Sequence, residues 1–155
     1  MSFKASELIL NPDQSVYHLN LHPDDIATTV LLVGDPERVP RVSRYFDRIE
    51  IKKSKREFTT HTGTLNGVRI SVVSTGIGTD NIDIVINELD ALANIDLQQR
   101  EVRDTLKSLN LVRLGTSGAI QADIPADALI LSDLAIGFDG MLYSYDSDDV
   151  KIAAL

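Results

Sequence analysis

Residues 66–92, NGVRISVVSTGIGTDNIDIVINELDAL, decide the fold. Asn66-Gly67 is a hairpin-turn pair, set between Thr59 to Leu65, which alternates, and Val68 to Val73, which is rich in β-branched residues. Strands are therefore expected on both sides of it. The second strand runs into Ser74-Thr75-Gly76-Ile77-Gly78, after which Thr79 is placed to cap a helix. That helix carries Ile82, Val85, Ile86, Leu89 and Leu92 at helical spacing, and Asp80 and Asp83 suit the positive end of its dipole. A strand, a glycine loop and an amphipathic helix in succession indicate an α/β architecture.

The same grammar extends outward. Thr28 to Val33 reads as a buried strand ending at Gly34-Asp35-Pro36, and Pro36 suits the first turn of a helix from Glu37 to about Phe46, with Val39, Val42 and Phe46 on one face. Pro40 lies early enough in that helix to be tolerated. Ile49 to Phe58 is mixed and basic. Beyond the central unit, a helix is expected over Leu97 to Leu109, a strand over Leu111 to Gly115, the loop Thr116-Ser117-Gly118, and a strand over Ala128 to Leu134 that continues irregularly through Phe138. The chain closes in an acidic, tyrosine-bearing tail, and Lys151 to Leu155 reads as a helix cut mid-course. With no repeat and no linker, residues 1–155 are expected to form a single α/β domain with a mixed sheet.

Composition narrows the function. A chain of 155 residues can bury ~70% of its unfolded surface. Its 43% hydrophobic and 25% charged residues are ordinary for a globular protein. A formal charge of -8 argues against nucleic acid as partner, because a polyanion needs a basic face. The absence of cysteine removes disulfides, thiolate nucleophiles and Cys-based zinc sites. No signal-peptide core and no apolar run of membrane-spanning length occurs, so a soluble cytoplasmic protein without a membrane partner is expected.

Three arginines adjoin segments that present backbone donors: Arg38 after the Gly34-Asp35-Pro36 turn, Arg56 in Lys-Arg-Glu-Phe, and Arg113 beside Gly115-Thr116. The guanidinium fork matches phosphate oxygens, although each arginine standing alone reads first as a surface salt bridge. Glycine loops at strand ends favour an anion. Gly76-Ile77-Gly78 lacks the third glycine of a dinucleotide fingerprint, however, and no P-loop lysine motif is present. His18 and His22 stand four apart near Asp24 and Asp25, but Pro23 disrupts the shared helical face that a zinc pair would use. His61, between threonines in an expected strand, reads as structural, and Asp146, Asp148 and Asp149 as a solvated tail.

Taken together, the segments resemble the nucleoside phosphorylase family, specifically its uridine phosphorylase branch. The resemblance rests on five motifs in family order: Val16-Tyr17-His18-Leu19, Gly34-Asp35-Pro36-Glu37-Arg38-Val39, Arg56-Glu57-Phe58-Thr59, Ser74-Thr75-Gly76-Ile77-Gly78 and Arg113-Leu114-Gly115-Thr116-Ser117-Gly118-Ala119. It implies a phosphorylase/hydrolase-like three-layer α/β/α fold with a mixed, partly barrel-like sheet. It also implies reversible phosphorolysis of a nucleoside, uridine favoured, to free base and ribose 1-phosphate in pyrimidine salvage, with inorganic phosphate as co-substrate and no cofactor.

By the same resemblance, Gly34, Arg38, Arg113 and Thr116 form the phosphate cradle, with Arg38, Arg113 and Thr116 as the catalytic set. Thr116 also touches the ribose. Arg56 is the arginine contributed by a neighbouring subunit, and His18 is lent across a homodimer, or a higher homo-oligomer, to the ribose 5′-hydroxyl. Glu57, the Ile77 carbonyl and Asn81 correspond to a potassium site at the dimer interface, where Asn81 departs from the hydroxyl residue expected. Full-length relatives continue past the point matching Leu155 with the residues that read the base, so a domain truncated at its C-terminus, with apolar surface left exposed or covered by another chain, is expected. A truncated non-catalytic domain that binds phosphate or a partner subunit is the competing reading. A nucleosidase, which uses water in place of phosphate, is a third.

Overall fold

The structure is a computed structural model that describes residues 2–145. It divides into two compact units, residues 1–115 and 116–155. Among the described residues, the first unit holds every strand: β1 (Thr29–Val33), β2 (Arg48–Lys55), β3 (Phe58–Leu65), β4 (Val68–Ser74), β5 (Ile95–Asp96), β6 (Glu101–Val102) and β7 (Asn110–Leu114). It also holds the helices α1 (Arg38–Ser43) and α2 (Thr79–Asn94), and a short 3-10 turn at Pro23–Asp25.

Five strands form a mixed sheet in the order β2-β3-β4-β1-β7. β2, β3 and β4 are antiparallel neighbours, whereas β4, β1 and β7 run parallel. The hairpin expected at Asn66-Gly67 is present, both residues adopting positive φ (51° and 75°), which is the two-residue turn chemistry that matches strand twist. The basic stretch forms β2, which alternates between half-buried and exposed along its length and turns into β3 through Arg56-Glu57.

Alternation along β1 and β4 divides the core into two layers. Val30, Leu32 and Val73 face a cluster that includes Val85, Leu89 and Leu92 of α2 together with Val16, Leu19, Leu21 and Ile26 of the N-terminal segment. Leu31, Val33 and Val72 face the opposite cluster, with Val39, Val42 and Phe46 of the α1 region. One helix thus covers each face of the sheet, the three-layer α/β/α arrangement. Each fully buried aliphatic or aromatic side chain in these layers stabilises the unit by about 1.5–3 kcal/mol, and Phe58, Val30 and Leu89 are among them.

α1 is shorter than the expected Glu37-to-Phe46 span, but Pro40 falls in its first turn, where a helix leaves backbone N–H groups without an internal acceptor anyway. α2 begins one residue from where the sequence suggests: Gly78, at φ 105°, is the N-cap, and Thr79 is the first helical residue. Asp80 lies in its first turn.

Two expectations are corrected. Leu97 to Leu109 is not a helix. Asp96 Oδ1 accepts from Gln98 N and Gln99 N, both at 2.9 Å, and Arg100 takes φ 56°, so the chain reverses into the β5–β6 hairpin. Lys107 is then pinned back by Asn94, whose Oδ1 accepts from Lys107 N at 2.7 Å. Ala128 to Leu134 is not a strand. Leu129, Leu131 and Leu134 are exposed, and among the described residues no ladder partner lies beside them. β-propensity without a neighbouring strand stabilises nothing.

The described part of the second unit is irregular apart from a 3-10 turn at Met141–Ser144. The aspartates at 146, 148 and 149 and the expected helix at 151–155 lie outside the described residues. β7, at one end of the sheet, leaves Leu111, Val112 and Leu114 exposed. Among the described residues no helix is long and apolar enough to cross a membrane.

Candidate functional site

The parallel trio β4-β1-β7 sets the site. Val33 pairs with Ser74 on one side and Leu114 on the other, so Gly34, Thr75 and Gly115 stand level just past the carboxyl ends of three adjacent strands. Ligands of open α/β sheets bind at such strand ends. Thr75 is buried, and its backbone N–H donates to Val33 O at 2.7 Å, tying the β4 exit to the β1 exit.

Arg113, on β7 opposite Leu32, curls forward over this rim. Its Nη1 donates to Leu114 O at 3.1 Å. A Cβ built on Gly34 would lie 3.6 Å from Arg113 Nη2 and 3.7 Å from Gly76 O, and one built on Gly115 would lie 3.6 Å from Arg113 Nη1. The guanidinium is therefore flanked by two glycines whose missing side chains leave the backbone open to a small anion. Asp35 shapes the β1 exit: its Oδ1 accepts from Glu37 N at 2.9 Å and its backbone carbonyl from Arg38 N at 3.0 Å. Arg38 thereby opens α1 and is half-buried. Thr116 is exposed and is the first residue of the second unit.

A second group forms around Tyr17. The His18 ring stands edge-on to it, with centroids 4.9 Å apart, and Arg56 Cζ lies 5.9 Å from the Tyr17 centroid. Lys55 Nζ sits over the same ring at 4.3 Å and donates to Asn11 Oδ1 at 2.9 Å. His18 and Arg56, 38 residues apart by their numbers, thus share one patch. Arg56 is exposed at the β2–β3 turn with φ 56°, a conformation uncommon for a side chain of its size.

Sequence reasoning missed Glu88. Its Oε1 lies 2.7 Å from His18 Nδ1, and its two oxygens also accept from the backbone N–H groups of His18 and Leu19 at 2.8 Å. A signal was available: Glu88 stands three residues after Val85 and four before Leu92, a carboxylate within the buried stripe of α2. A carboxylate so placed needs partners.

Glu57, Ile77 and Asn81 do meet, around Gly76. A Cβ on Gly76 would lie 2.7 Å from Asn81 Nδ2 and 3.0 Å from Glu57 Cγ. The Ile77 carbonyl, however, accepts from Asn81 Nδ2 at 3.1 Å. The amide thus takes one of the two lone pairs of that carbonyl. Among the described residues no group of three or more His, Asp or Glu side chains is arranged around a metal position. His22 Nε2 is 3.6 Å from Asp13 Oδ2, while His18 is engaged with Glu88. His61 Nδ1 lies 2.7 Å from the buried Ser43 Oγ, and burial, with Lys52 adding to it, holds its pKa below the ordinary 6.5.

With this geometry in view, the chain can be set beside known proteins. The family model described as the Phosphorylase superfamily matches residues 28–152. A uridine phosphorylase of Thermococcus kodakarensis is 40% identical over 143 residues, which are 92% of this chain and 47% of that protein. A purine nucleoside phosphorylase DeoD-type of Bacillus velezensis is 36% identical over 116 residues, 74% of this chain and 44% of that protein. Among solved structures, a Trypanosoma brucei nucleoside phosphorylase described as showing uridine phosphorylase activity superposes with TM-score 0.70 at 34% identity, covering 76% of this chain and 41% of that one. The chain spans about half the length of the curated relatives it matches, 47% in the Thermococcus case. The family match over residues 28–152, most of the chain, leads to one conclusion: this chain belongs to the phosphorylase superfamily.

Proposed function

We propose that this chain carries the phosphate-binding part of a nucleoside phosphorylase, with uridine as the favoured nucleoside. The observation that carries the reading is the Arg113 guanidinium flanked by Gly34 and Gly115 at the ends of three parallel strands. Backbone groups at Gly34 and the side chains of Arg38 and Arg113 would grip phosphate, with Thr116 completing the cradle and touching the ribose. Arg56 would reach the phosphate of a neighbouring subunit, and His18 that subunit's ribose 5′-hydroxyl. The shared patch around Tyr17 supports a joint role for these two across a homodimer. The two relatives named above with uridine phosphorylase in their descriptions support the uridine preference, and a cytoplasmic place in pyrimidine salvage goes with that reading.

Phosphorolysis suits such a cradle. A phosphate oxygen attacks the anomeric carbon as the glycosidic C–N bond breaks, and the bonding pair leaves with the base, which takes up a proton. Positive charge builds on the sugar in the transition state. Clamped, largely dianionic phosphate serves as both nucleophile and counter-charge, and positioning provides most of the advantage. No general base is needed and no cofactor takes part.

The test is to incubate the protein with uridine and phosphate and follow uracil and ribose 1-phosphate. Phosphate-dependent uracil release that Arg113→Ala abolishes is the expected result. Calorimetric phosphate binding without turnover of any nucleoside would identify a binding domain instead, and base release at an undiminished rate without phosphate would identify a nucleosidase.

A further inference from the structure

One carboxylate in this chain holds three donors from a single stretch. Glu88 Oε1 lies 2.7 Å from His18 Nδ1 and 2.8 Å from His18 N, and Oε2 lies 2.8 Å from Leu19 N. The Glu88 side chain is only 14% exposed and that of His18 25%. Glu88 projects from α2, whose Val85 and Leu92 are fixed in the core, so its position is set by packing and not by the loop that it grips. The ring is also confined at its edges, by Tyr17 at 4.9 Å and Phe58 at 6.2 Å between centroids.

This arrangement has a chemical consequence. An ionised carboxylate can only accept, so His18 Nδ1 must carry the proton that it shares with Glu88. Neutral His18 then has its lone pair on Nε2, which has no hydrogen-bond partner among the described residues. Such a ring accepts from a hydroxyl. The opposite tautomer would leave Nδ1 and the carboxylate facing each other as two acceptors.

We propose that Glu88 is a positioning residue: it fixes the tautomer and orientation of His18 so that Nε2 is a ready acceptor for the primary hydroxyl of a bound pentose. This rests on the reading of His18 as a sugar contact. α2 begins at the Gly76-Ile77-Gly78 loop and carries Glu88 further along, so one helix would tie a protomer's own phosphate cradle to the histidine that it lends. A purely structural carboxylate would hold the backbone of residues 18 and 19 without any bearing on which sugar is bound.

The experiment has two arms, both on the 155-residue chain. The chain has three histidines, so ¹⁵N-histidine labelling with His18→Ala for assignment resolves each ring. Wild-type His18 is expected to be protonated on Nδ1 when neutral. Glu88→Ala should restore a mixture rich in the Nε2-protonated form, and Glu88→Met, which has no oxygen to accept from Nδ1–H, provides a second variant of similar volume. A wild-type ring already protonated on Nε2, or one unchanged in a folded Glu88 variant, would overturn the proposal.

In the second arm, ribose 1-phosphate and 5-deoxyribose 1-phosphate are titrated by calorimetry, with inorganic phosphate reporting the cradle alone. The wild type should prefer the hydroxylated sugar by roughly tenfold, the worth of one hydrogen bond. That preference should vanish in His18→Ala and fall to within about twofold in the Glu88 variants. Discrimination lost with His18 but kept in full without Glu88 refutes Glu88 alone. Equal binding of the two sugars by the wild type refutes the sugar contact of His18, and the role of Glu88 with it.

Discussion

Replacing Gly76 with alanine should destabilise the first unit by about 2 kcal/mol, from two separable causes. Gly76 sits at φ 67°, where an L side chain costs about 1 kcal/mol. In addition, the new Cβ would stand 2.7 Å from Asn81 Nδ2 and 3.0 Å from Glu57 Cγ. The first contact is relieved by turning the Asn81 side chain away, which gives up its hydrogen bond to Ile77 O and costs about 1 kcal/mol more. Gly67 provides an internal reference. It has φ 75° and nothing within 4 Å of its would-be Cβ, so Gly67→Ala should cost only the backbone contribution, about 1 kcal/mol.

The assay is urea unfolding followed by far-UV circular dichroism, since the chain has no tryptophan. Gly76→Ala should unfold at a lower midpoint than Gly67→Ala. In an Asn81→Ala background, where the hydrogen bond is already gone, the gap between the two glycine variants should close. Equal midpoints for the two glycine variants would refute the claim that Asn81 and Glu57 crowd Gly76. A Gly76→Ala midpoint at the wild-type value would refute the cost of its backbone conformation as well.

Gly63→Ala should be more damaging than either, by about 3 kcal/mol or more, because its Cβ would fall 2.1 Å from Arg48 O and 2.9 Å from Phe46 Cδ2 at the β2–β3 irregularity; a folded variant with an unshifted urea midpoint would contradict this. Arg113→Lys should weaken phosphate binding by roughly tenfold or more, since an ammonium cannot reproduce the guanidinium fork, and calorimetry at fixed ionic strength would detect it. Stability should also fall with acid through His61. Burial, with Lys52 adding to it, keeps its folded pKa below 6.5, so the unfolded chain takes up the proton first. Its contribution is fully present above that ordinary value and is lost as pH falls through the folded pKa. His61→Gln should flatten this part of the urea-midpoint profile, and an unchanged slope would exclude His61 as its source.

Much of the first unit is legible in the residues because its signals are local. The Asn66-Gly67 turn, the β-branched runs of β1 and β4 and the apolar spacing of α2 each depend on neighbours a few positions away. Where local signals conflict, they mislead. Leu97 to Leu109 has enough leucine to suggest a helix, but Asp96 captures the next backbone N–H groups and turns the chain first. Ala128 to Leu134 has strand composition, and a strand is a pairwise object that composition cannot supply.

The site follows the same division. The glycines after β1, β4 and β7 and the basic residues beside them can be picked out one by one, and the ordered motifs identify the family without any coordinates. That Arg113 lies against Gly34 and that Arg56 and His18 share the Tyr17 patch are decided by the order of strands in the sheet and by the packing of the N-terminal segment. Glu88 marks the boundary most clearly. Its place on the buried face of a helix is written in the spacing, yet its partner is 70 residues distant, and only the packing of α2 against the N-terminal segment determines which donors meet the carboxylate. Turn chemistry and periodicity act over a few residues and so survive in the one-dimensional pattern. Side-chain pairing across the core depends on which surfaces are driven out of water together, and that is settled by the whole chain at once.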